Sequence, residues 1–154
     1  MSAQTLSLQQ ISDRIEIDDL LIRYTVAIDT KDWELLDTVF TPDAKVDYTT
    51  SGGIKGDYPE VRAWLAKALA LFDMTQHLIS NSVVRVDGDT ATARTMVFNP
   101  MGRDDGKGGL TLFYVGAWYD DKLVRTPEGW RIAERFEEQA FFEGALPKGF
   151  EIPE

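Results

Sequence analysis

Residues 16–48, EIDDLLIRYTVAIDTKDWELLDTVFTPDAKVDY, decide the fold. Apolar residues recur every three to five positions at Leu8, Ile11, Ile15, Leu20, Leu21, Tyr24 and Ile28, which predicts an amphipathic helix over residues 7–30. Asp29, Thr30 and Asp32 then offer N-caps for a second helix over 33–40, and Pro42 stops it. Residues 44–50 alternate as a strand does, and residues 51–56, with three glycines, form a turn or flap.

Working outward, Pro59 suits the first turn of a third helix over 58–72, whose stripe is Val61, Trp64, Leu65, Ala68, Leu69 and Phe72. The period then changes to two. Residues 76–86, 90–101, 110–122 and 130–142 read as four strands, the first two joined by the hairpin signal Asp87-Gly88-Asp89. Residues 102–109, with four glycines, form a mobile loop, and 126–129 a turn. Helices followed by long antiparallel strands predict an α+β domain: a cone-shaped barrel, its curved, mostly antiparallel sheet wrapped around three N-terminal helices. One domain over residues 1–154 is expected, with its core at 7–142 and a tail at 143–154. Such a cone makes a pocket, and 8 Phe, 5 Tyr and 4 Trp can line it.

Composition narrows the chemistry. The chain has 154 residues, enough to bury roughly 70% of the surface of its unfolded form without a staple. The absence of Cys excludes thiolate nucleophiles and cysteine-metal sites and is in keeping with a reducing, cytoplasmic location. A single histidine, His77, excludes sites that need two imidazoles. A net charge of -10 with scattered basic residues argues against nucleic acid as a partner. The longest uncharged run, 108–119, is too short for a membrane helix, and the first ten residues lack a signal-peptide core, so no membrane partner is expected. No dinucleotide fingerprint, phosphate loop, HExxH helix or GxSxG elbow is present, and the loop around residues 102–109 lacks calcium-site spacing. No metal or cofactor is expected.

The order of elements, with the phrase at 16–48, QHLISN at 76–81 and GWRIAERFEE at 129–138, resembles the SnoaL-like polyketide cyclase branch of the nuclear-transport-factor-2-like superfamily. Within it the chain is most similar to the scytalone dehydratase and bile-acid 7α-dehydratase families. These pair a strand histidine with an aspartate ending the first helix and add one or more tyrosines. The resemblance implies His77, Asp29 and Tyr24 as catalytic residues, with Asn99 and Arg135 as further matches. Scytalone dehydratase uses a second histidine that this chain does not have. The resemblance also implies a homodimer or homotrimer.

Each residue has a plain alternative. An imidazole, with an ordinary pKa of about 6.5, suits a general base, yet a lone histidine is often structural. Asp29 faces the negative end of the helix dipole, where it either caps the next helix or orients His77. Tyr24 either donates to a developing enolate oxygen or packs in the core. Tyr48 and Tyr114, on strands, either bind substrate or fill the cavity wall. Asn99 either holds a substrate oxygen or serves a turn before Pro100. Arg135 faces the pocket only if the Trp130 face is outward or a bulge intervenes; otherwise it pairs with Glu134, Glu137 or Glu138. The acidic closing segment otherwise reads as a solvated face. The expected function is a cofactor-independent lyase of dehydratase type, or a related isomerase or cyclase. Its substrate would be a hydrophobic cyclic hydroxy-carbonyl compound, with His77 and Asp29 as the base. The alternative is a non-catalytic small-molecule-binding or scaffolding module, in which His77 and Asp29 do not touch and side chains fill the pocket.

Overall fold

In the computed structural model, which describes residues 5–145, Ser7 opens α1 (Leu8–Thr30) with a capping box. Its hydroxyl accepts the Gln10 N–H at 3.2 Å while Gln10 Oε1 accepts the Ser7 N–H at 2.9 Å. The helix ends at Lys31, whose φ of 57° turns the chain sharply, and the Lys31 and Asp32 N–H groups close on Ile28 O and Ala27 O. Asp32 caps α2 (Trp33–Leu36) by accepting the Leu35 N–H at 2.9 Å. That helix is shorter than the expected 33–40, because the Ile132 N–H bonds Val39 O and draws the chain into the sheet. β1 (Phe40–Asp47) therefore begins before Pro42, and Tyr48 leads into a 3-10 turn, Thr49–Ser51. β2 (Lys55–Asp57) and α3 (Tyr58–Leu69) follow, and two 3-10-type bonds carry the chain from α3 to Phe72.

The remaining chain is β3 (Met74–Thr75), β4 (Leu78–Asp87), β5 (Thr90–Asp104), β6 (Leu110–Thr126) and β7 (Gly129–Gly144). The sheet order is β2-β1-β7-β6-β5, with β3 and β4 sharing the outer edge of β5. Every pairing is antiparallel except β1 with β7. This is the expected α+β cone: a strongly curled sheet closed over three helices. Both β5 and β7 run past their expected ends, leaving a loop only at 105–109, and residues 146–154 of the expected tail lie outside the described residues.

The core joins Ile17, Leu20, Leu21 and Ile28 of α1 to Val61 and Leu65 of α3 and to Val97, Leu123 and Ile132 of the sheet. The expected α1 stripe mixes two faces. Leu8, Ile11 and Ile15 are exposed and, with Ile22 and Val26, fall within about 60° of one another on the helix. They lie roughly opposite the buried row that runs from Asp13 and Ile17 to Tyr24 and Ile28. Among the described residues, no helix is long and apolar enough to cross a membrane.

Bulges decide which side chains point inward. In β4 the register slips between Ser80 and Val83, where Asn81 takes a φ of 52°. In β7 it slips twice, at Ala133 and at Ala140. Trp130 and Ile132 face inward before the first slip, and Arg135, Glu137 and Gln139 after it.

Candidate active site

Asp29 sits in the last turn of α1, and because Asp32 caps α2, its carboxylate is free. It accepts three hydrogen bonds from one short segment. Oδ2 takes the His77 backbone N–H at 2.8 Å, and Oδ1 takes the Thr75 hydroxyl at 3.1 Å and His77 Nδ1 at 2.6 Å. His77 occupies the gap between β3 and β4, level with Asn99 of β5, since Thr75 pairs with Met101 and Leu78 with Phe98. Its side chain is 6% exposed. Burial pushes the Asp29 carboxyl up, but the His77 ring hydrogen bond and charge, the His77 N–H and the Thr75 hydroxyl together hold it below its ordinary value. With Asp29 ionised, the ring proton belongs on Nδ1, and Nε2 is left as the free basic nitrogen.

His77 opens into a cavity of about 390 Å³, a volume suited to a small organic ligand. Its wall is largely apolar, with Trp64, Leu65 and Leu69 of α3, Phe72, Met101 of β5, Phe113 of β6 and Phe142 of β7. Ser51, Gly52 and Gly53 form one rim. Gly52 turns there with a φ of 82°, and a Cβ on Gly53 would lie 2.7 Å from that of Tyr48, so the flap needs both glycines.

Tyr24, Tyr48 and Tyr119 line the same cavity, buried at 3–4% exposure. The Tyr24 and Tyr48 hydroxyls bond each other at 2.9 Å, and the Tyr24 ring meets the His77 ring edge to face at 6.3 Å. Burial raises all three phenols well above their ordinary pKa, so they remain protonated donors. Tyr24 also interacts through its hydroxyl with Tyr119, so the three phenols form one linked cluster on the cavity wall. Asn99 also faces the cavity. β5 continues through Pro100, so the alternative of a turn at Asn99 does not hold, and its buried Oδ1 has no partner.

Arg135 and Tyr114 do not line this cavity. The β7 bulge does bring Arg135 inward, but below the tyrosines. Its guanidinium lies 4.1 Å from the Tyr24 ring centre and 4.0 Å from that of Tyr119. It pairs through two 2.7 Å bonds with Asp121 of β6, not with the glutamates expected as partners, because Asp121 is its cross-strand neighbour. Tyr114 points to the opposite face of the sheet, where it stacks on Phe98 at 5.8 Å.

Sequence reasoning missed Glu137 and Gln139, which line the cavity. Strict alternation from Trp130 and Ile132 assigns both to the outer face, and only the bulge at Ala133 reverses that. Burial raises the Glu137 carboxyl above its ordinary value, opposed by Ser51, His77 and Arg135. A larger depression of about 750 Å³ lies against Lys45, Arg94, Asp120 and Glu134, away from His77. Its charges pair with one another, as in Lys45 with Asp57 and Arg94 with Asp120. Among the described residues, no group of three or more His, Asp or Glu could hold a metal ion.

A strongly curled sheet closed over three helices is the cone of the nuclear-transport-factor-2-like class. The chain belongs to the SnoaL-like domain family, whose model matches residues 9–136. It is 48% identical over 136 residues to an uncharacterized protein of Mycobacterium tuberculosis, covering 88% of this chain and 91% of that one. A structure from Novosphingobium aromaticivorans, described as a candidate aromatic ring hydroxylase, is 28% identical with a TM-score of 0.79, covering 88% of this chain and 95% of that one. A candidate scytalone dehydratase from the same organism shares the fold at a TM-score of 0.73, with 18% identity, covering 92% and 96%.

Proposed function

We propose that the protein is a cofactor-independent lyase of dehydratase type, acting on a hydrophobic cyclic compound with a hydroxyl β to a carbonyl. His77 Nε2 removes the α-proton, and Asp29 fixes the imidazole tautomer and stabilises the imidazolium. Tyr24, with Tyr48 behind it, donates to the carbonyl oxygen as it gains charge, in a pocket whose apolar wall strengthens that interaction. The observation that carries this reading is the 2.6 Å contact between Asp29 Oδ1 and His77 Nδ1 beside a cavity of about 390 Å³. A non-catalytic module would have the two side chains apart and the cavity filled. The likeness in fold to a candidate scytalone dehydratase fits the same reaction class. Isomerisation of a double bond and aldol ring closure begin with the same proton abstraction and share this base.

The test is a panel of cyclic β-hydroxy ketones in heavy water, followed by NMR. The expected result is enzyme-dependent α-deuteration accompanied by water loss from at least one compound. Absence of both across the panel would contradict the reading. A homo-oligomer belongs to the same proposal: the exposed α1 row and the outer sheet face at Leu78, Phe98 and Leu112 offer apolar surface that a second copy would cover.

A further inference from the structure

The His77-Asp29 pair leaves without a task the one carboxyl that lines the cavity among the described residues. Glu137 projects inward from β7 because Ala133 bulges out of register. Thr50 holds it there, donating to Glu137 O at 2.5 Å and accepting the Gln139 N–H at 3.0 Å. These bonds also press the 3-10 turn, and Ser51 with it, against the strand. The Glu137 carboxyl forms no salt bridge among the described residues, and the neutral Ser51 hydroxyl is the hydrogen-bonding group beside it. Of the two groups whose charge acts on it, His77 is engaged by Asp29, and Arg135 by Asp121 through Nε and Nη2, its buried Nη1 being left without a partner.

A buried carboxyl with no dedicated counter-ion favours its neutral form, and a neutral carboxyl has one O–H to donate. Burial does raise its pKa. A ligand oxygen in the cavity is placed to accept that proton. Asn99 Oδ1, also unpartnered and facing the cavity, offers the complementary acceptor. A ligand oxygen can accept the Glu137 proton, and a ligand donor elsewhere in the cavity can meet Asn99 Oδ1.

We propose that Glu137 is a second catalytic residue, the acid that protonates the departing hydroxyl after His77 has taken the α-proton. The proposal rests on the lyase reading, which assigns the base and leaves the departing hydroxyl without an acid. First the α C–H bond breaks, its proton going to His77 Nε2 and its electron pair to the enolate. That pair then forms the C=C bond as the β C–O bond breaks. The hydroxyl leaves with the Glu137 proton as water. The imidazolium proton then passes through solvent to the Glu137 carboxylate, restoring both groups with no external reagent.

The test uses the whole protein with carbon-13 label on glutamate carboxyls, and 3-hydroxy-5-phenylcyclohexanone as probe in heavy water. One glutamate carboxyl should titrate above the ordinary value of about 4.3, and its signal should be missing in Glu137→Gln. In that variant, water loss should fall roughly 100-fold or more while α-deuteration falls less than about 10-fold. His77→Ala should lose both. Titration of every glutamate in the ordinary range, or water loss by Glu137→Gln near the wild-type rate, overturns the role of Glu137 alone. Neither reaction by the wild type overturns the lyase reading and this role with it.

Discussion

His77 and Asp29 are held by a backbone bond as well as a side-chain bond, so the imidazole and its carboxylate move as one unit. Asp29→Asn keeps the shape but removes the charge that favours the imidazolium and permits the wrong tautomer. Turnover should fall by roughly 10²–10⁴-fold, with the far-UV circular dichroism spectrum unchanged. Asp29 and His77 were legible in the sequence through the family pattern, and Tyr24 with them. Glu137 was not, because its inward placement depends on one extra residue, Ala133, whose bulge strict alternation does not show. Arg135 was read with the right condition, a bulge, and the wrong partner. Asp121 lies 14 residues away in an adjacent strand, and only the register joins them. Asp121→Ala would leave the Arg135 guanidinium buried and unpaired, at a cost of about 3–5 kcal/mol in urea denaturation.

At the scale of elements, α1 is fastened to the sheet at both ends. Asp29 fastens its C-terminal end. Near its N-terminal end, Asp13 accepts two hydrogen bonds from Arg125 of β6, at 2.7 and 3.0 Å, and one from Trp130 Nε1 of β7 at 3.3 Å. Asp13→Ala should cost about 2 kcal/mol and leave the cavity intact, measured by urea denaturation. The Arg125 hydrogen bonds outweigh burial and hold the Asp13 carboxyl down at about 2, below the ordinary 3.8. The unfolded chain therefore binds more protons between those values, and stability falls as pH drops from about 4 to about 2. Asp13→Asn should flatten that limb. The sequence showed α1 by its apolar spacing but not the purpose of Asp13, since a carboxylate on a helix reads as surface until its strand partners are known. The four long strands were visible as period-two runs. The early end of α2 was hidden, because the bond from Ile132 that ends it comes from the far end of the chain.

At the scale of the whole molecule, the cone makes the cavity and also leaves apolar surface outside it. Leu8, Ile11, Ile15, Ile22 and Val26 on α1, with Leu78, Phe98 and Leu112 on the sheet, account for this. Sedimentation velocity should show a dimer or trimer at micromolar concentration; a monomer at all concentrations would contradict that part of the account. Glu137 adds a second pH effect of opposite sign to Asp13. Its folded pKa is raised, so the folded state binds the extra proton, and stability falls as pH rises from the ordinary glutamate value through the folded one. Glu137→Gln should remove that loss in thermal melts across the same pH range.

Whether His77 is the base is read from the rate of α-deuterium incorporation into a cyclic β-hydroxy ketone by wild type and His77→Ala in heavy water. The rate should fall by roughly 100-fold or more in the variant, with cooperative unfolding retained. Incorporation by His77→Ala at close to the wild-type rate would contradict that role.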